Sequence, residues 1–166
     1  MAAATITRRK QAGSFHRPRR RGDAVILRAL AILEGRLREP GAVLASPGQV
    51  RAFLMLHLAE LEHEAFWALF LDAQNRLLEA RELFRGTLTQ TAVHPREVVR
   101  AALAVNAAGV VLSHNHPSGC TEPSRADEAL TQELRRCLAL VDVELLDHFI
   151  VAGRAEPFSF VETGKL

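Results

Sequence analysis

Residues Ala65 to Leu71, AFWALFL, form an unbroken apolar run that stops at the turn sequence Asp72-Ala73-Gln74-Asn75. A run this short and this rich in aromatics is no ordinary helix, and it reads as a strand buried on both faces. The rest of the chain must be arranged around it. Arg76 to Phe84 is then the return strand of a hairpin, more polar and nearer an edge, and Gly86 closes the unit. Val110 to Leu112 is a short buried strand. Val143 to Leu146 and His148 to Ala152 read as two strands around a bend at Asp147, and Phe158 to Phe160 as a last short one.

Helical periods separate these runs. Ile26, Leu30, Leu33 and Leu37 predict a helix over 23–38, ended by Pro40-Gly41. Ser46-Pro47-Gly48-Gln49 is a helix start, with Ser at the N-cap and Pro at the first helical position. Its buried stripe is Val50, Phe53, Leu54, His57, Leu58 and Leu61, and His57 reads as a core or boundary residue. His94-Pro95-Arg96-Glu97 starts another helix, expected to run to about Ala107 and stop at Gly109, with Val98, Val99, Ala102 and Leu103 inward. Ala126, Leu130, Leu134, Cys137, Leu138 and Val141 mark the last. Strands alternating with helices define an α/β class, or mixed α+β, around one sheet.

The chain has 166 residues, the size of one domain, and a net charge of +2 that hides an asymmetry. Residues 1–22 carry seven basic residues and no acid; the remainder carries 14 bases against all 19 acids. The first 22 residues read as a disordered basic arm, either a solvated tail or an electrostatic contact for nucleic acid through Arg17, Arg19, Arg20 and Arg21. Residues 23–45 are a helix and linker, and 46–166 the main domain. No run approaches a transmembrane length, and the apolar stretch after the arm is too short for a secretory signal. Two cysteines make no disulfide scaffold, so a reducing cytoplasm is the expected compartment.

The most informative segment follows Val110-Val111-Leu112. His114 and His116 are two residues apart at the end of a strand, so both imidazoles face one point. Pro117 and Gly119 turn the chain. Ser124 opens the next helix, and Asp127 one turn in leans back toward the histidines. Two imidazoles and a carboxylate suit zinc and leave a fourth position open for water, the mark of a catalytic rather than a structural site. Ser124-x-x-Asp127 is equally a helix-capping pair, and the two readings are compatible because they use different atoms. Asp147-His148 either supplies a hydrogen bond behind a ligand histidine or is only a turn acid beside a strand histidine. Cys120 reads as a plain loop cysteine.

His114-x-His116, seven residues, Ser124, two residues, Asp127 resembles the JAMM signature of MPN+ (JAB-type) metalloproteins with no gap. His-Asn-His-Pro-Ser-Gly, Phe84-Arg85-Gly86-Thr87-Leu88, Val93-His94-Pro95-Arg96-Glu97 and Leu146-Asp147-His148 look like the RadC branch of that family, over roughly residues 46–166. The shortness of the first 45 residues resembles RadC-like proteins without a helix-hairpin-helix region. The resemblance implies a mixed sheet flanked by helices, akin to the cytidine deaminase architecture. It also implies one zinc ion per chain on His114, His116 and Asp127, with an upstream glutamate as general base. Glu64, immediately before the buried strand, fits that place better than Glu60 or Glu62 in the helix before it. Ala68 stands four residues after Glu64, where many JAMM peptidases have glycine three after, and Asn115 replaces the usual Ser or Thr. The implied activity is hydrolysis of a peptide or isopeptide bond in a protein or peptide substrate, with Glu64 and Ser124 catalytic. The competing expectation is a DNA-associated accessory protein with a structural or vestigial metal. A zinc deaminase would need His-x-Glu and Pro-Cys-x-x-Cys, which the chain lacks.

Overall fold

A computed structural model describes residues 22–38, 47–86 and 93–166. The order is α1 (Asp23–Arg38), α2 (Pro47–Leu58), β1 (Ala65–Leu71), β2 (Leu77–Arg85), α3 (Pro95–Ala104), β3 (Gly109–Asn115), α4 (Arg125–Ala139), β4 (Glu144–Val151) and β5 (Phe158–Ser159). The five strands form one mixed sheet in the order β2-β1-β3-β4-β5. β1 is antiparallel to β2 and β3, and β3 is parallel to β4. The class is α/β, as the alternation of periods predicts.

The hairpin forms where the sequence places it. Asp72 Oδ1 accepts from the backbone N–H groups of Gln74 and Arg76, each at 2.9 Å, and Asn75 takes the left-handed φ of 58°. β2 is an edge strand, which accounts for its polarity. A parallel pair cannot be joined by a tight turn, so β3 reaches β4 through a crossover, and α4 supplies it. The entry to that crossover carries the candidate site.

The sheet is covered on both faces, which is why β1 is wholly apolar and β3 is apolar up to Leu112. On one face Phe66, Phe70, Val110 and Leu112 pack with Val98, Ala102, Leu134 and Leu138 of α3 and α4. On the other, Ala65, Leu69, Val111 and Phe149 pack with Val50, Phe53, Leu54 and Leu58 of α2. Phe70 is fully buried in the first cluster. Phe70→Ala should cost about 3–5 kcal/mol of folding stability, read as a lower urea midpoint at unchanged slope.

Several expectations are corrected. α3 ends at Ala104, not near Ala107, because Asn106 adopts φ 54° and the Ala107 N–H returns to the Ala102 carbonyl at 3.0 Å. Its inner face is Val98, Ala101 and Ala102, while Leu103 is exposed. α2 ends at Leu58, so Glu60 and Glu62 lie in the connection to β1 rather than in the helix. β3 continues past Leu112 to Asn115. β4 is a single strand without a break at Asp147. The irregularity there is a bulge: Val110 faces Leu145 and Val111 faces Asp147, so Leu146 is the extra residue. Ser46 lies outside the described residues.

Candidate metal centre

β3 delivers His114 near its end, in register with Phe66 of β1 and Ile150 of β4. The parallel pairing extends one step further, with the His116 N–H donating to the Val151 carbonyl at 2.9 Å. The chain then turns, the Gly119 N–H closing on the His116 carbonyl at 3.1 Å with φ 86° at Gly119. α4 starts at its N-cap Ser124 with a complete capping box. Ser124 Oγ accepts from the Asp127 N–H at 3.2 Å, and the Ser124 N–H donates to Asp127 Oδ2 at 2.7 Å.

These elements bring His114, His116 and Asp127 to one corner, their ligand atoms all within 4.8 Å of one another. His114 Nε2 lies 3.0 Å from His116 Nε2 and 3.4 Å from Asp127 Oδ1, and His116 Nε2 lies 3.7 Å from Asp127 Oδ2. Donors on a tetrahedral zinc at normal bond lengths sit roughly 3.3–3.4 Å apart, so the spacing fits. The proton inventory fits as well. His116 Nδ1 is 2.7 Å from the Cys120 carbonyl, which can only accept, so Nδ1 carries the proton and Nε2 presents a lone pair to the corner. His114 Nε2 faces it at 3.0 Å, so two ring nitrogens converge on the corner.

The electrostatics agree. Burial acts to raise the Asp127 pKa, but hydrogen bonds with His114, His116 and Ser124 outweigh it and hold the carboxyl far below its usual range. His116 is pushed above the ordinary imidazole value by its bond to Asp127, against desolvation, with the Cys120 carbonyl and the charge of Glu64 adding to the rise. The register that sets Phe66 against His114 brings the backbone of Glu64, two residues before Phe66, toward the end of β3 that leads to His116. The Glu64 main chain is fixed on three sides. The Glu64 carbonyl accepts from the Gly86 N–H at 2.8 Å. Asn115 Oδ1 accepts from the Ala65 N–H at 2.8 Å, and Asn115 Nδ2 donates to the His63 carbonyl at 2.9 Å. The residue between the two histidines thus ties the strand that carries them to the segment that carries Glu64.

Behind His114 stands His148, its Nε2 2.9 Å from His114 Nδ1 and its Nδ1 2.7 Å from Thr131 Oγ1. The His148 ring is stacked on Phe160 at 5.0 Å between centroids and meets Phe66 edge-on at 5.6 Å. Burial keeps His148 well below the ordinary imidazole pKa. Asp147 does not join this group. Its carboxylate accepts from the Ser159 hydroxyl at 2.6 Å and from the N–H groups of His148 and Val161 at 2.7 and 3.1 Å. Burial pushes its pKa up in spite of these bonds.

Of the residues the sequence singles out, His114, His116, Asp127, Ser124 and His148 come together, and the main chain of the Glu64 segment is tied to the strand that carries the histidines. Asp147 instead anchors the segment after β5. Ser124 both caps α4 and donates its hydroxyl proton to Asp127 Oδ2 at 2.6 Å, so one serine serves the cap and also holds the Asp127 carboxylate. Arg17, Arg19, Arg20 and Arg21 lie outside the described residues. Cys120 meets the site through its backbone carbonyl. Sequence reasoning missed Thr131, although it stands one helical turn after Asp127 on the same face, and it took Asn115 only as a departure from pattern. Among the described residues no helix is long and apolar enough to cross a membrane.

Comparison with known proteins agrees with this geometry. The model of the RadC-like JAB domain matches residues 44–165. A UPF0758 protein of Dechloromonas aromatica is 67% identical over 121 residues, 73% of this chain and 54% of the relative. One of Aromatoleum aromaticum is 61% identical over 124 residues, 75% and 55% of the two chains. One of Nitrosospira multiformis is 57% identical over 144 residues, 87% and 63%. The chain thus spans between about half and two thirds of the length of these relatives, whose names state no activity. With the His-His-Asp corner on a mixed sheet and a family match over most of its length, the chain belongs to the RadC-like JAB domain family.

Proposed function

We propose that this chain is a metal-dependent hydrolase that cleaves a peptide or isopeptide bond, with one zinc ion per chain. The observation that carries the reading is a three-donor corner, partly exposed at His116 and Asp127, with the Glu64 segment tied to the same strand through Asn115. The His114 side chain is 2% exposed, while those of His116 and Asp127 are 18% and 15% exposed, so substrate approaches from their side. His114, His116 and Asp127 would hold the ion. Zinc there supplies Lewis acidity toward water and toward a substrate carbonyl. Glu64 accepts the proton of the attacking water and returns it to the leaving amine. Ser124 first holds the ligand carboxylate in place; its hydroxyl serves the developing oxyanion by exchanging its bond to Asp127.

A DNA-associated role would depend on the basic arm, which lies outside the described residues, and the remainder of the chain is acidic. The test is cleavage of a diverse peptide pool by the zinc-loaded protein, followed by mass spectrometry. Cleavage should vanish with a chelator and return with zinc. A protein carrying one zinc per chain that cleaves nothing in such a pool, nor an isopeptide-linked pool, would overturn the reading.

A further inference from the structure

Thr131 is fully buried, its neighbour His148 likewise, and both lie behind the metal corner rather than in it. The hydrogen bonds that join them leave little freedom for protons. Thr131 Oγ1 is 2.6 Å from the main-chain carbonyl of Asp127, four residues earlier on α4. A carbonyl only accepts, so the single hydroxyl proton of Thr131 is committed to it. The contact of 2.7 Å between Thr131 Oγ1 and His148 Nδ1 must then be donated by the imidazole. His148 is enclosed by Phe66 and Phe160, and its ring nitrogens meet Thr131 and His114. A neutral ring protonated on Nδ1 has a lone pair on Nε2, and that lone pair accepts from His114 Nδ1 at 2.9 Å. His114 is thereby left with its own lone pair on Nε2, aimed at His116 and Asp127.

We propose that Thr131 is a positioning residue for the metal centre: through His148 it fixes the tautomer of His114 so that Nε2 is always available as a ligand. The circuit closes on itself. It starts at the backbone carbonyl of Asp127 and ends at the corner where the Asp127 carboxylate is the third donor. α4 thus supplies one ligand directly and sets the protonation of another from behind, by way of β4. A ligand histidine in water samples both tautomers, and the wrong one must be exchanged before a metal can bind. Here that exchange is removed in advance.

The inference rests on the reading of the corner as a metal site, and the experiment separates the two. Nitrogen-15 NMR of the metal-free protein, above the imidazole titration range, reads the tautomers directly. Protons on Nδ1 of both His148 and His114 are expected, and a His148 protonated on Nε2 overturns the circuit whether or not the protein binds zinc. Zinc affinity is then measured by competition with a chromophoric chelator. Thr131→Val keeps the shape and deletes the hydroxyl, and should weaken zinc binding about 10–100-fold, the usual cost of losing an outer partner. Thr131→Ser should restore it. A folded Thr131→Val protein that binds zinc as tightly as the parent, or a serine variant no better than valine, overturns the proposal. A parent that binds no zinc instead overturns the metallohydrolase reading, and the tautomers still decide the circuit.

Discussion

His116→Ala should leave a folded protein that no longer retains zinc through dialysis, while the parent keeps one ion per chain. The imidazole sits just past the end of β3, is partly exposed and belongs to neither core cluster, so its loss removes a donor without opening a cavity. Losing an outer partner costs about 10–100-fold in metal affinity, and losing one of only three protein donors should cost more. Elemental analysis of both proteins, with thermal melts to show that each is folded, reads the result. Equal metal in the two would remove the basis of the proposed mechanism. A pH dependence follows from the same residue. In the metal-free protein Asp127 raises the His116 pKa above its ordinary value, so a proton competes with the ion for Nε2. Zinc affinity should therefore be full above that raised pKa and fall as the pH drops through it.

Glu64→Gln should have the opposite signature, full zinc content and almost no turnover. Glutamine keeps the size of the side chain but cannot take a proton. The bonds that fix this segment are made by the Glu64 carbonyl and by the main chain of His63 and Ala65, so the substitution leaves them in place. General base catalysis of this kind contributes about 10²–10⁴-fold, and that is the expected fall in cleavage of any peptide the parent cuts. Turnover that survives at the parental rate would show that Glu64 is not the base.

The fold was legible wherever one strong signal acted alone. β1 is an apolar run between turns, and its bounds are those of the run itself. α1 follows its period from Asp23 to Arg38. The errors fall where a local backbone choice competes with the pattern. Apolar residues continue past Ala104, but Asn106 takes the left-handed conformation and ends α3 early. The convergence of His114, His116 and Asp127 was legible because their spacing is local, within one strand, one turn and the first turn of one helix. Thr131 and His148 were harder, because what joins them is 17 residues of chain and a parallel pairing that no local period encodes. The choice between Asp147 and His148 as the group behind His114 was likewise not readable from two adjacent letters.

The bulge at Leu146 makes that choice. In an unbulged ladder Leu146 would pair with Val111 and Asp147 with Leu112, which would put the carboxylate on the face His114 occupies. The extra residue advances the phase by one, and His148 pairs with Leu112 instead. What stands behind the ligand is then an uncharged ring in place of a second anion. A divalent ion bound by two imidazoles and one carboxylate would keep a net positive charge, one unit more than with a second carboxylate behind it. In the proposed hydrolase, a single irregular pairing in the sheet would therefore work as a charge setting for the centre without altering any of the three donors.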